Sequence, residues 1–285
     1  MRLLSIALVV FQFGSYTLES ACGQDDAPNA DAQKNAEVAA EFAAVESKRY
    51  VITPATAKQP LLLADKTLLR WTNPERAEVY GSVVLWTRDD CPAALASIYT
   101  YFDRKQLNVE LVSLSESRLT GMRSGKERWV ADQGVKFETF PDGPPPAATA
   151  EKRQLQMRTI ARKFSAHLAD RADDTKFSEL RLMARPLHQY SASDRSGREG
   201  ALFAFVTAND PEVLLLVESQ LEKDVRIWRY AAARLNFCRL QLHLNEKAVW
   251  DVPQLAPPWE KLRGPQGNYV ILEWATMAAA EADAR

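Results

Sequence analysis

The sequence predicts an α+β protein: two tandem copies of a helix packed on an antiparallel β meander, related by internal duplication. Three observations carry that prediction. Strand-like runs broken by turn residues fill residues 200–250, and a weaker image of them lies over residues 81–129. A shift of 119 residues superimposes the two, with Leu61 on Leu180, Gly81 on Gly200 and Pro92 on Pro211. Over the 38 positions from 61 to 98 that shift gives seven identities, where average residue usage gives about two or three. Lastly, a helix-like segment precedes each copy, and an aromatic strand, at residues 135–140 or 269–274, follows it.

Taken in order, the chain divides as follows. Residues 1–23 read as a signal peptide: Arg2, an apolar stretch over residues 3–13 that is too short for a membrane span, and a small-x-small site at Ala21-Cys22-Gly23. The alternative is a lipoprotein anchored through Cys22, although Glu19 stands where that pattern wants an aliphatic residue. Residues 24–35 form a polar, flexible leader. The first α+β repeat occupies residues 36–140, opening with a helix over 36–47 whose stripe is Val38, Phe42 and Val45. Single strands are expected over residues 61–71 and 180–190. Residues 141–151, beginning Pro-Asp-Gly-Pro-Pro-Pro, are the linker. The second repeat occupies residues 152–274 and opens with a helix over 152–169, striped by Met157, Ile160, Phe164 and Leu168. In it, Ala208-Asn209-Asp210-Pro211 reads as a hairpin loop of four or five residues. Residues 275–285 are a tail.

Charge and motifs exclude more than they assign. A net charge of −1, unchanged by loss of residues 1–23, gives no electrostatic reason to expect nucleic acid, and no stretch is long enough for a membrane span. His167, His188 and His243 have no second histidine at i+2, i+3 or i+4, so no metal site is expected. Nucleophile elbows, phosphate loops and dinucleotide fingerprints are all missing, and no cofactor is implied. Cys91 and Cys238 fit either a disulfide joining the two copies or two free thiols.

Aromatic residues offer the candidate ligand-binding set: Trp71, Trp86, Tyr190, Trp228 and Tyr230, all in expected strands. Such side chains suit a glycan, a peptide or an apolar ligand, and equally suit a core between helix and sheet. The raw material for acid–base chemistry is Asp89, Asp90, Glu110, Glu116 and Asp210.

Three segments, RWTNPERAEVYGSVVLWTRDD, RQLQMRTIARKFSA and GALFAFVTANDPEVLLLVES, resemble an uncharacterised family of secreted planctomycete proteins. The resemblance covers roughly residues 35–250 and implies export and a shared fold; it brings no activity, cofactor or catalytic residue. The expected function is that of an exported, periplasmic or secreted, non-enzymatic binding or interaction module. The alternative is a periplasmic hydrolase-like enzyme working through the carboxylates named above.

Overall fold

Five strands among the described residues have no exposed face for long stretches: residues 81–87, 91–100, 107–113, 200–206 and 210–219 are buried without a break. Strands of that kind lie in sheets covered on both sides, so the architecture must be layered. The computed structural model describes residues 30–141, 143–192, 197–255 and 264–276. Helix α1 (Ala30–Ser47) leads into β1 (Tyr50–Pro54), β2 (Leu62–Leu63), β3 (Leu69–Thr72), β4 (Val79–Arg88) and β5 (Cys91–Tyr101). Then come β6 (Gln106–Ser113), β7 (Leu119–Arg123), β8 (Lys126–Ala131) and the short β9 (Glu138–Thr139). Helix α2 (Ala150–Ala161) opens the rest: β10 (Phe164–Ala169), β11 (Phe177–Leu182), β12 (His188–Ser191) and β13 (Glu199–Thr207). The chain continues through β14 (Asp210–Glu222), β15 (Val225–Arg234), β16 (Leu240–Leu244), β17 (Lys247–Val252) and β18 (Tyr269–Thr276).

This overturns the expected α+β class. Strands hold 51% of the described residues and helices 13%, so the protein is mostly β, built from large antiparallel sheets. The halves are not self-contained copies of a helix on a meander either. β9, expected to close the first unit, pairs with β15 of the second, and β18, expected to close the second, pairs with β6 of the first. One sheet runs β18-β6-β5-β4-β2 with β3 also on β4, and a nine-stranded sheet runs from β17 to β9 through β10, β13 and β14. A three-stranded sheet, β1-β7-β8, completes the set. What recurs is a pairing order: β1 on β7 on β8 corresponds to β10 on β16 on β17, and bulges fall at Trp86/Thr87 and Phe205/Val206.

Local corrections follow from the same pairing. The helix expected over 152–169 stops at Ala161, because Phe164, Ala166 and Leu168 alternate with Ser165 and His167 and are claimed by β11 and β16 on either side. Each strand expected over 61–71 and 180–190 is split in two, and the strand expected over 135–140 shrinks to Glu138–Thr139. In α1 the buried stripe is Ala39, Ala43 and Glu46 rather than Val38, Phe42 and Val45; Val45 is 46% exposed. Small residues let that helix close on β4, and Glu46 is drawn inward by Arg123, which donates from Nε and Nη2 to its two oxygens at 2.5 and 2.9 Å. Arg153 ties α2 to Glu199 on β13 in the same two-pronged way.

Alternation sorts the core into three layers. Val83, Leu85 and Leu95 face Leu202, Ala204 and Leu214 across the space between the two large sheets. Their neighbours Val84, Trp86 and Ile98 point the other way, toward α1 and the small sheet with Ile52, Leu119 and Trp129. On the far side Phe203, Phe205 and Leu215 pack with Met157 and Ile160 of α2. Trp71 shows how tightly the central layer is fitted. It lies opposite Gly81 in the β3–β4 register, its indole Nε1 donates to Ser97 Oγ at 3.1 Å, and a Cβ at position 81 would sit 2.2 Å from its ring. Gly200 accommodates Tyr190 in the same way, with 2.3 Å to the ring.

Gly81→Ala therefore overpacks the core and is expected to lower unfolding free energy by about 1–3 kcal/mol. The double variant Trp71→Ala/Gly81→Ala should cost less than the sum of the two single changes, because the clash needs both partners. Urea unfolding of the four proteins checks this, and strict additivity would contradict the packing assigned to Trp71.

Candidate functional site

Polar residues inside a dry layer need partners, and the layer between the sheets holds an unusual set. The β3–β4 connection brings Asn73 and Arg76 to Asp210: Asn73 Nδ2 donates to Asp210 Oδ2 at 3.3 Å and Arg76 Nη1 to the same oxygen at 3.2 Å. Asp210 is there because the β13–β14 turn is tight, so that Asp210 pairs with Thr207 and begins β14 instead of lying in the loop that its sequence predicts. Two residues on, Glu212 accepts from Asn236 Nδ2 at 2.6 Å. Across the layer on β6, Glu110 accepts from the Tyr99 hydroxyl at 3.0 Å.

One guanidinium thus faces three buried carboxyls. Burial pushes Glu110 up to about 8, with the Asp210 charge adding to the effect and Arg76 opposing it. Burial raises Glu212 and Asp210 as well, and each of the two is also acted on by Arg76, which favours its charged form. For Arg76, burial works against the charge, but Glu212 and Asp210 outweigh it and hold the guanidinium above its ordinary range. Glu110 and Asp210 were legible as carboxylates; Glu212 was not singled out, since only the burial of the whole β14 strand marks it.

Two cavities open elsewhere, neither lined by a member of this cluster. The smaller, about 390 Å³, lies at the β4–β5 turn and is lined by Arg88, Cys91, Glu116, Tyr190, Arg198 and Glu218 among others. Of its carboxylates, Asp89 lies 3.9 Å from Arg88 Nε, and the other two are committed. Glu218 accepts from the Tyr190 hydroxyl at 2.7 Å and from Arg229 Nε at 2.5 Å, and Arg229 also reaches Glu116 at 3.4 Å. The larger cavity, about 570 Å³, lies where the outer edge of β15 runs on beyond its short pairing with β9. Val112 and Tyr269 form one wall, Trp250, Val252 and Leu255 another, and Ala232, Ala233 and Arg234 the edge itself. Arg234 donates only to backbone carbonyls: Nε to Asn236 at 2.9 Å, and Nη2 to Cys238 at 2.6 Å, Pro253 at 3.0 Å and Phe237 at 3.3 Å.

Of the five aromatic candidates, only Tyr190 lines one of these cavities. Trp71 and Trp86 are core residues, and Trp228 and Tyr230 pack in the α2 layer with Phe140 and Phe164. Asp89 and Asp90 occupy positive-φ positions at an exposed turn, where Asp90 offers its carbonyl to His188 Nε2 at 3.0 Å. Cys91 and Cys238 are both buried, and no disulfide joins them among the described residues. The sheet does join two histidines that look isolated in sequence: the rings of His167 and His243 lie 4.7 Å apart on β10 and β16. No group of three or more potential ligands surrounds a metal position among the described residues.

The carboxyl cluster makes stability depend on pH. A carboxyl whose folded pKa is raised binds more protons folded than unfolded, so its contribution is complete below the unfolded value near 4.5 and is lost as pH rises through about 8. His167, lowered by burial and by His243, acts in the opposite sense but only below its ordinary 6.5. Between about pH 7 and 9 the urea midpoint is therefore expected to fall, and Glu110→Gln/Glu212→Gln should flatten that slope. A midpoint that holds constant or rises over this window would show that the cluster does not retain protons. Comparison with family models, curated proteins and solved structures finds no match for this chain.

Proposed function

We propose that this chain is a binding module whose ligand site is the larger cavity at the open edge of β15. One observation carries the reading: the described lining consists of apolar side chains, the Tyr269 phenol, three amides and a guanidinium, with no carboxylate, thiol or imidazole to act on a substrate. Walls from both halves of the chain suit a site that closes around one small ligand rather than one that tracks a polymer. A hydrolase-like alternative draws on Glu110, Asp210 and Glu212, whose raised pKa values are those of potential proton donors. Against it, none of the three lines either cavity, and of the carboxylates that line the smaller one Glu116 and Glu218 are held by Arg229 and Asp89 lies beside Arg88.

Ala232→Phe places a ring in the cavity while leaving the β14–β15 pairing untouched. A thermal-shift screen should return ligands that stabilise the parent protein and fail on this variant; occupancy at a hundredfold above Kd is worth about 2.7 kcal/mol. Ligands that stabilise both proteins equally would move the site elsewhere, and turnover of any hit would favour the hydrolase.

The proposed setting is outside the cytoplasm, periplasmic or secreted. Residues 1–23 lie outside the described residues, so the support is their sequence pattern and the resemblance to secreted proteins. Among the described residues no helix is long and apolar enough to cross a membrane. Intact-mass analysis of the natively expressed protein should find a chain starting near Gln24; an acylated Cys22 would indicate a lipoprotein, and a retained Met1 would overturn export.

A further inference from the structure

We propose that the cavity at the edge of β15 takes a small organic anion, with a carboxylate seated on the Arg234 guanidinium and an apolar or aromatic body against Trp250, Val252 and Leu255. This rests on the reading of that cavity as the ligand site and adds the chemistry of the ligand.

Charge bookkeeping around Arg234 is the argument. It is the only charged residue among the described lining of the cavity, and it has no ion-pair partner among the described residues. Four carbonyl oxygens satisfy Nε and Nη2, but carbonyls supply dipoles and leave the net charge uncompensated. Nη1 makes no hydrogen bond to a described residue, and it is not among the buried atoms left without a partner, so it retains accessible surface. Burial pulls the guanidinium down to about 10, the direction of a cation that lacks a counter-ion. The nearest acids are occupied or turned away. Asp251, between Trp250 and Val252 on β17, pairs with Arg239 and accepts from Gln241, and Glu110 lies behind Tyr269 within the sheet layer.

The other classes of small ligand fit less well. A cationic ligand would find no acid in the described lining and would face Arg234 directly. A neutral apolar ligand would strip water from the guanidinium without replacing its charge, which costs more than burying it against an anion. A carboxylate answers both conditions, and Tyr269, whose ring centroid is 5.9 Å from the guanidinium carbon, keeps one side of the head group dry. The amides of Gln254, Gln266 and Asn268 add polar groups at the wall.

The test uses the full chain and two matched probe pairs near neutral pH, decanoate with decanamide and 2-naphthoate with 2-naphthamide, measured by isothermal titration calorimetry. At least one acid should bind about tenfold or more tightly than its amide, and Ala232→Phe should abolish that binding. Equal affinity of acid and amide, lost together in Ala232→Phe, would overturn the anion assignment and leave the cavity as the ligand site. Acid binding that survives Ala232→Phe would overturn both. If neither acid binds at millimolar concentration, the anion assignment is wrong, and the thermal-shift screen alone then decides whether the cavity binds anything.

Discussion

The layer between β4–β5–β6 and β13–β14–β15 is dry, so every ionisable group inside it must be neutral or closely partnered. Most of that layer is aliphatic, from Val83, Leu85 and Leu95 on one sheet to Leu202, Leu214 and Leu216 on the other. Into it the chain inserts Arg76, Asp210, Glu212 and Glu110. With one cation among three carboxyls, simultaneous ionisation is disfavoured by like-charge repulsion as well as by burial. The cluster joins the halves all the same, because Arg76 and Asn73 come from the first and Asp210 from the second. Breaking one member of such a set leaves a buried charge uncompensated. The Asn73 Oδ1 atom finds no partner among the described residues.

On the outer faces a similar solution serves a different need. α1 and α2 are short on large apolar side chains; α1 buries Ala39 and Ala43, and α2 buries Met157, Ile160 and Ala161. Each is held by a two-pronged guanidinium–carboxylate pair, Glu46 with Arg123 and Arg153 with Glu199. A bidentate pair fixes orientation, which alanine contacts alone do not. The helices are thus clamped at defined angles on sheets that supply most of the buried area.

Much of the strand content was legible. Period-2 alternation marks β16 as Leu240, Leu242, Leu244, and the continuous apolar run at β13 marks a strand buried on both faces. The error in fold class came from partnering, which local pattern does not encode. Nothing in residues 135–140 or 269–276 says that each will cross to the other half's sheet. Phe164 and Leu168 fit a helical stripe as well as a strand, and tertiary pairing on both sides decided between them. The site was less legible still. Glu110 and Asp210 stood out only as carboxylates, and the paired histidines lie 76 positions apart in sequence. Arg234 carries no motif at all, since its meaning comes from the carbonyls and the cavity that the fold brings to it.

Its position at a sheet edge is what gives Arg234 that meaning. β9 covers only Arg229 and Tyr230 of β15, so the strand's last residues face outward without a described strand partner. An uncovered edge offers backbone groups to any extended chain and is a liability unless it is blocked. Here the edge ends in a charged side chain whose guanidinium turns back onto the carbonyls of residues 236–238 and 253. The same turn leaves Nη1 without a hydrogen bond to a described residue, on a side chain that lines the cavity. A charged residue at an uncovered edge, of the kind that discourages edge-to-edge association, is thus also the one charge in the described lining of the cavity, and the proposed ligand chemistry rests on it.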